Sequence, residues 1–169
     1  LPPASYYHIR WDDDPTLVIN DDRYGDNCNN DYFGGNLRGV MEKLDYIQSL
    51  GVTVLYFNPI FKARSNHKYN TGDYKTIDPS FGTEADFQAL CAEAEKRGMR
   101  VILDGVFSHT GSDSLYFNRD GSYGEGGAYN DPKSPYREWY RFYNWPDEYE
   151  SWWGFKTLPN VHEDTTSYQ

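Results

Sequence analysis

The sequence predicts an α/β fold built on parallel strands, and three observations carry that prediction. Val101, Ile102 and Leu103 are apolar in succession and end at Asp104, which suits a parallel strand buried on both faces. Two earlier stretches, Leu37 to Leu50 and Phe87 to Ala94, repeat apolar residues at three and four positions, as amphipathic helices do. Helix, strand, helix and strand then follow with short connections, the order of a β/α unit with a right-handed crossover.

Residues 1–31 mix Pro, Asp, Asn and Tyr without sustained periodicity and read as a long loop, with Leu17 to Ile19 as a short strand. Within it, Asp21 to Asp31 is dense in side-chain oxygens, the donors a hard cation such as calcium prefers. Asn36 is a fair N-cap for the first helix, in which Leu37, Val40, Met41, Leu44, Ile47 and Leu50 form the apolar stripe and Gly51 the stop. Val52 to Phe57 reads as a buried strand ended by Pro59, and a polar loop follows to Phe81. Thr83 with Asp86 resembles a capping box, and Lys96-Arg97-Gly98 closes the second helix. Beyond His109 no β/α period remains. Gly121 to Gly127 and the prolines mark an excursion holding Trp139, Trp145, Trp152 and Trp153, interleaved with Tyr136, Tyr140, Phe142, Tyr143, Tyr149 and Phe155. Most of these rings are expected to form a miniature core, with one or two free to meet a ligand.

Asp104, Ser108 and His109 stand at the carboxyl end of a predicted strand, where β/α folds place their chemistry. The alternative is that Asp104 caps the strand and His109 is a satisfied interior histidine. The block Asp104-Gly105-Val106-Phe107-Ser108-His109 resembles the first signature region of the α-amylase family of glycoside hydrolases. Three further blocks resemble that family in its order: Tyr32-Phe33-Gly34-Gly35-Asn36-Leu37, then Ser65 to Tyr74 (S-N-H-K-Y-N-T-G-D-Y), then Leu158-Pro159-Asn160-Val161. The four cover roughly residues 32 to 162, and the blocks Tyr32 to Leu37 and Ser65 to Tyr74 are similar to the neopullulanase, cyclomaltodextrinase and amylopullulanase branch. The resemblance implies a partial (β/α)8 TIM barrel, about strands 2 to 3 with their helices, and an irregular inserted domain after strand 3. On that basis residues 1–35 precede the barrel helices, 36–109 hold the β/α units and 110–169 form the insertion.

At 169 residues the chain is too short for a whole barrel of about 250, and it lacks an initiator Met, so a fragment is expected. Lys and Arg number 16 against 26 Asp and Glu, and the net charge of −10 argues against nucleic acid or an anionic membrane as partner. An aromatic share of 18%, with 16 Tyr and 5 Trp, suits sugars, which stack on rings through C–H faces and hydrogen-bond at polar edges, the alternative being a Tyr-rich structural surface. Cys28 and Cys91 make neither a disulfide framework nor a metal spacing. The start shows no signal-peptide pattern, which leaves the compartment open between secreted and cytoplasmic.

Glycosidic cleavage needs two carboxyls flanking the anomeric carbon. The resemblance implies that the catalytic acids follow the fourth, fifth and seventh barrel strands, so none lies in this chain. What the chain supplies by resemblance is one wall of the sugar pocket: Tyr69 stacking under the sugar, His109 bonding a sugar hydroxyl, and Asp104 supporting the site. His67 either lines the same pocket or braces its loop, and Asp73 reads as a loop brace. A calcium site in this branch uses a loop like Asp21 to Asp31 together with a Gly-Gly-Asp motif. Here Asn36 replaces that acid, so a solvated loop is preferred, with Asn27, Asn29, Gly34 and Asn36 kept as calcium candidates. A second family calcium is expected to be absent, because Ser108 and Asn160 stand where an Asn and an Asp are usual. No cofactor is required on this reading. The function implied is part of a retaining α-glucan hydrolase acting on α-1,4 or α-1,6 bonds of starch, pullulan or maltodextrins, partnered by the remainder of its own catalytic domain. A non-catalytic carbohydrate-binding module and a catalytically dead family relative are the alternatives. His162 and Glu163 either shape substrate preference or belong to a solvated loop.

Overall fold

The computed structural model describes residues 32–169. The Leu17 to Ile19 strand, Cys28, and the Asp21 to Asp31 loop with its calcium candidates Asn27 and Asn29 lie outside those residues. The described residues divide into two compact units, one of residues 32–57 and 77–103 and one of Asn58–Thr76 with Asp104–Gln169.

In the first unit, Asn36 caps α1 (Leu37–Glu42) by accepting a hydrogen bond from Gly39 N at 2.9 Å. The single helix expected from Leu37 to Leu50 is two, α1 and α2 (Leu44–Ser49), because the ladder tightens at Lys43. Its φ of −103° and ψ of 3° let Lys43 N bond to Val40 O at 3.0 Å, a 3₁₀-type turn that leaves the apolar stripe on one face. α3 (Glu84–Lys96) starts with the expected reciprocal capping box between Thr83 and Asp86. It ends where Gly98, at φ +71°, takes the left-handed turn that an L side chain resists.

β1 (Val54–Phe57) runs parallel to β4 (Arg100–Leu103), with Val54 opposite Arg100 and Phe57 opposite Leu103. Leu37, Leu44, Leu90, Ala94 and Met99 are buried as a core, and Leu55, Phe57 and Val101 pack against it. The expectation of strands buried on both faces is not met. Val54, Tyr56 and Ile102 are 42%, 59% and 48% exposed, because this pair carries its helices on one face only.

The second unit contains β2 (Phe61–Lys62), which pairs with β3 (Asp73–Ile77), in a stretch expected to be loop throughout. A bulged antiparallel pair, β5 (Phe142–Asn144) with β6 (Glu148–Tyr149), and 3₁₀ turns at Arg137–Trp139 and Trp152–Gly154 complete it. Its core is aromatic: Phe117 meets Tyr140, Phe142 and Tyr149 with ring centroids 4.7 to 5.8 Å apart, and Trp139 stacks beside Tyr116 at 4.9 Å. Of the ten clustered rings, Trp139, Tyr140 and Tyr149 are core with Tyr136 and Phe142 packed against them, while Tyr143, Trp145, Trp152, Trp153 and Phe155 are exposed, so the core takes half of them rather than the expected majority. Among the described residues three helices and a parallel strand pair are present, a different architecture from the two-sheet sandwich expected of a carbohydrate-binding module.

Candidate functional site

Asn58 and Asp104 are the residues that follow β1 and β4, and Tyr69 lies in the loop between β2 and β3. The Tyr69 hydroxyl donates to Asp104 Oδ2 at 3.0 Å and lies 3.5 Å from Asn58 Oδ1. Its bond to the Asp104 carboxylate raises the Tyr69 phenol above its ordinary value. Tyr69 keeps 38% of its surface exposed, so the ring is oriented by its tip and open on its flank.

His109 holds the same residue from the other side. Its Nε2 is 3.1 Å from Tyr69 O and its Nδ1 is 3.1 Å from Ser108 Oγ. A carbonyl can only accept, so Nε2 carries the proton and Nδ1 receives the serine hydroxyl. At 7% exposure burial lowers the basicity of His109, only partly offset by the bond to Tyr69 O, and the imidazole is held neutral. Both ring nitrogens thus already have protein partners, the arrangement of a satisfied interior histidine.

His67 accepts from Tyr69 N at 3.1 Å and its ring stacks with Tyr69 at a centroid distance of 6.1 Å. Ser65 bonds Asn70, and its hydroxyl also receives Lys68 N at 3.1 Å, so the S-N-H-K-Y-N segment is tied into a turn around Tyr69. Lys68 is 2% exposed, at φ +64°, with its ammonium on Ala63 O at 2.8 Å. Asp73, expected as a loop brace, opens β3 and accepts Lys75 N at 2.9 Å and Thr76 Oγ1 at 2.6 Å within that strand.

The blocks Asp104 to His109 and Leu158 to Val161 meet in space. His109 and Asn160 form an antiparallel bridge, with Val161 N on Ser108 O at 2.9 Å and Thr110 N on Pro159 O at 3.1 Å. Beside it Asn160 Nδ2 donates to Glu150 Oε1 at 3.3 Å, while Asn160 Oδ1 and Glu150 Oε2 are buried without a hydrogen-bond partner. Arg141 Nη1 and His162 Nε2 lie 3.6 and 3.7 Å from that Glu150 oxygen. Gly34 is exposed, and the Asn36 side-chain oxygen is used by the α1 cap.

Tyr69, Asp104, His109 and His67 are therefore brought together, and Gly34 and Asn36 are not part of that cluster. Sequence reasoning missed Asn58, although it follows a strand as Asp104 does. It also left unassigned Trp152, whose ring is 5.6 Å from that of His109.

Residues 17–167 match the family model described as "Alpha amylase, catalytic domain". An amylopullulanase of Thermoanaerobacterium saccharolyticum is 48% identical over 92% of this chain and 13% of its own length. The intracellular maltogenic amylase of Bacillus subtilis is 40% identical over 79% of this chain and 22% of its own. Among solved structures, the type III pullulan hydrolase from Thermococcus kodakarensis aligns with a TM-score of 0.70 at 43% identity, covering 81% of this chain and 24% of that one. The chain thus spans less than a quarter of each of these relatives.

Proposed function

This chain belongs to the α-amylase catalytic-domain family, and from that premise we propose that it forms one wall of the sugar pocket in a retaining α-glucan hydrolase. The bonds cleaved would be α-1,4, α-1,6 or both, in starch, pullulan or maltodextrins. We assign β1 and β4 as the second and third strands of a (β/α)8 barrel, and residues 110–169 as a domain inserted after the third. The observation that carries the reading is the Tyr69 ring, tied at its hydroxyl to Asp104, at its N–H to His67 and at its carbonyl to His109.

A ring fixed at several points loses little freedom when a pyranose stacks on it, so more of the stacking energy appears as binding. His109 can meet a sugar hydroxyl by exchanging its Ser108 partner at Nδ1, a swap of one hydrogen bond for another with Nε2 still on Tyr69 O. Asp104 acts through Tyr69 rather than on the substrate, and no acid of this chain is assigned as nucleophile. The chain by itself is therefore expected to leave pullulan, starch and cyclodextrins intact when reducing ends are measured. Turnover by the chain that Asp104→Asn abolishes would overturn this assignment. In the full-length protein, hydrolysis itself separates the proposal from a catalytically dead relative.

Among the described residues, the surroundings of Ser108 and Asn160 favour a site without calcium: Glu150 is the carboxylate bonded to Asn160, and its buried oxygen already faces the Arg141 guanidinium at 3.6 Å. A divalent ion there would meet a positive charge at close range. We propose that activity needs no added calcium. Micromolar calcium binding by calorimetry, or a melting temperature lowered by a chelator, would count against that.

A further inference from the structure

We propose that Trp153, backed by Trp152 and Phe155, is a stacking platform for pyranose rings of an α-glucan chain beyond the sugar held at Tyr69. The inference rests on the α-glucan reading above and adds to it a second point of contact. Three observations support it.

The first is exposure. The core rings Trp139, Tyr140 and Tyr149 are each 8% exposed or less, whereas Trp153, Phe155 and Trp152 are 84%, 57% and 39% exposed, Trp153 being the most exposed large apolar side chain among the described residues. They also form one surface. Trp152 lies 5.4 Å from Trp153 and 6.3 Å from Phe155 between centroids, with interplanar angles of 31° and 27°.

The second is backbone strain under a rigid support. Trp153 has φ 51° and ψ 24°, a left-handed conformation that bulky L residues avoid, and Gly154 follows at φ 83°. An indole that is hardly buried gains no core packing in return, so the strain points to a use for the ring outside the chain. The loop beneath it is fixed: Trp152 N bonds Leu158 O at 2.9 Å, Phe155 N bonds Trp152 O at 2.9 Å, and the buried Tyr149 donates to Lys156 O at 2.7 Å. The backbone is held while the rings face outward.

The third is continuity. The Trp152 ring lies 5.6 Å from His109, so the platform starts where the Tyr69 and His109 cluster ends. Flat rings in series with a polar indole edge suit the C–H faces of consecutive sugars, and a patch of three rings is far smaller than the roughly 800 Å² per partner of a stable protein interface.

The test titrates the full-length protein with maltose and with maltohexaose, by calorimetry, in wild type and in Trp153→Ala, Trp153→Phe and Trp153→Asn. The platform predicts that Trp153→Ala weakens maltohexaose by about tenfold and leaves maltose unchanged, since one stacked ring is worth up to about a tenfold change. Trp153→Phe should recover most of the loss. Trp153→Asn, which suits the left-handed backbone, should lose the sugar without lowering the melting temperature. Unchanged maltohexaose affinity in Trp153→Ala, or an equal loss for both sugars, overturns the platform while the Tyr69 pocket stands. If wild type binds neither sugar, the α-glucan reading falls and the platform with it. A self-association that Trp153→Ala dissolves, with sugar binding intact, also overturns it by assigning the rings to a second copy of the chain.

Discussion

At the scale of single residues, Tyr69 and His109 separate binding from stability. Tyr69→Phe keeps the stacking ring and removes the solvent-exposed bond to Asp104 that orients it. Its melting temperature should stay near wild type while kcat/KM in the full-length protein falls about fivefold. His109→Ala strips partners from Tyr69 O and Ser108 Oγ, so it should lower both stability, by about 1 to 3 kcal/mol, and turnover. Loss of stability with unchanged kinetics in the folded fraction would remove His109 from the pocket. The same residue gives a pH dependence. Burial holds its folded pKa below the ordinary 6.5, so the unfolded chain takes up the proton first as pH drops. The contribution of His109 is complete above pH 6.5 and is lost as pH falls from there through its lowered folded value. Melting temperatures across that range should show a shallower acid-side loss in His109→Gln than in wild type.

At the scale of elements, α3 gives the sharpest prediction. Thr83 and Asp86 cap each other reciprocally, and the Asp86 carboxyl, bonded by Thr83 and Arg38, is held down at about 2. Thr83→Ala should therefore cost about 1 kcal/mol in denaturant unfolding, and Thr83→Ser much less. An equal loss in both would mean that the hydroxyl is not what matters. The capping box, the apolar stripe and the strand ending at Asp104 were legible in the sequence because each is written in residues within about four positions of one another. β2 and β3 were not, because a two-residue strand exists only through its partner, as where Gly72 N reaches Lys62 O at 2.7 Å. The break at Lys43 carries no Gly or Pro to announce it. In the site, Asp104 and His109 were legible from the strand end and Tyr69 from the resemblance of its block, whereas the double engagement of His109 depends on Tyr69, 40 positions away. Composition could not say which tryptophans are core, since Trp139 and Trp153 differ only in what the fold packs around them.

At the scale of the whole molecule, two cores of different chemistry divide the labour. The aliphatic core of Leu44, Leu90 and Met99 packs the first unit, and the aromatic core around Phe117 packs the second, the unit that holds Asn58, Tyr69, Asp104 and His109. Over both runs a net charge of −10, which decides how salt acts. Mutual repulsion among like charges destabilises the compact state, and ions at about 0.1 M screen it beyond about 10 Å. Added salt should thus raise the melting temperature at pH 7 and do little near pH 4.7, where the sequence is neutral overall. Binding should respond differently. A neutral glucan on aromatic rings releases no counterions, whereas each phosphate neutralised would add about −0.9 to the slope of log affinity against log salt. Maltohexaose affinity of the full-length protein should accordingly change less than about twofold between about 50 and about 500 mM sodium chloride. A tenfold weakening over that range would show that charge, not stacking, holds the ligand, and would overturn the neutral-polymer reading of the site.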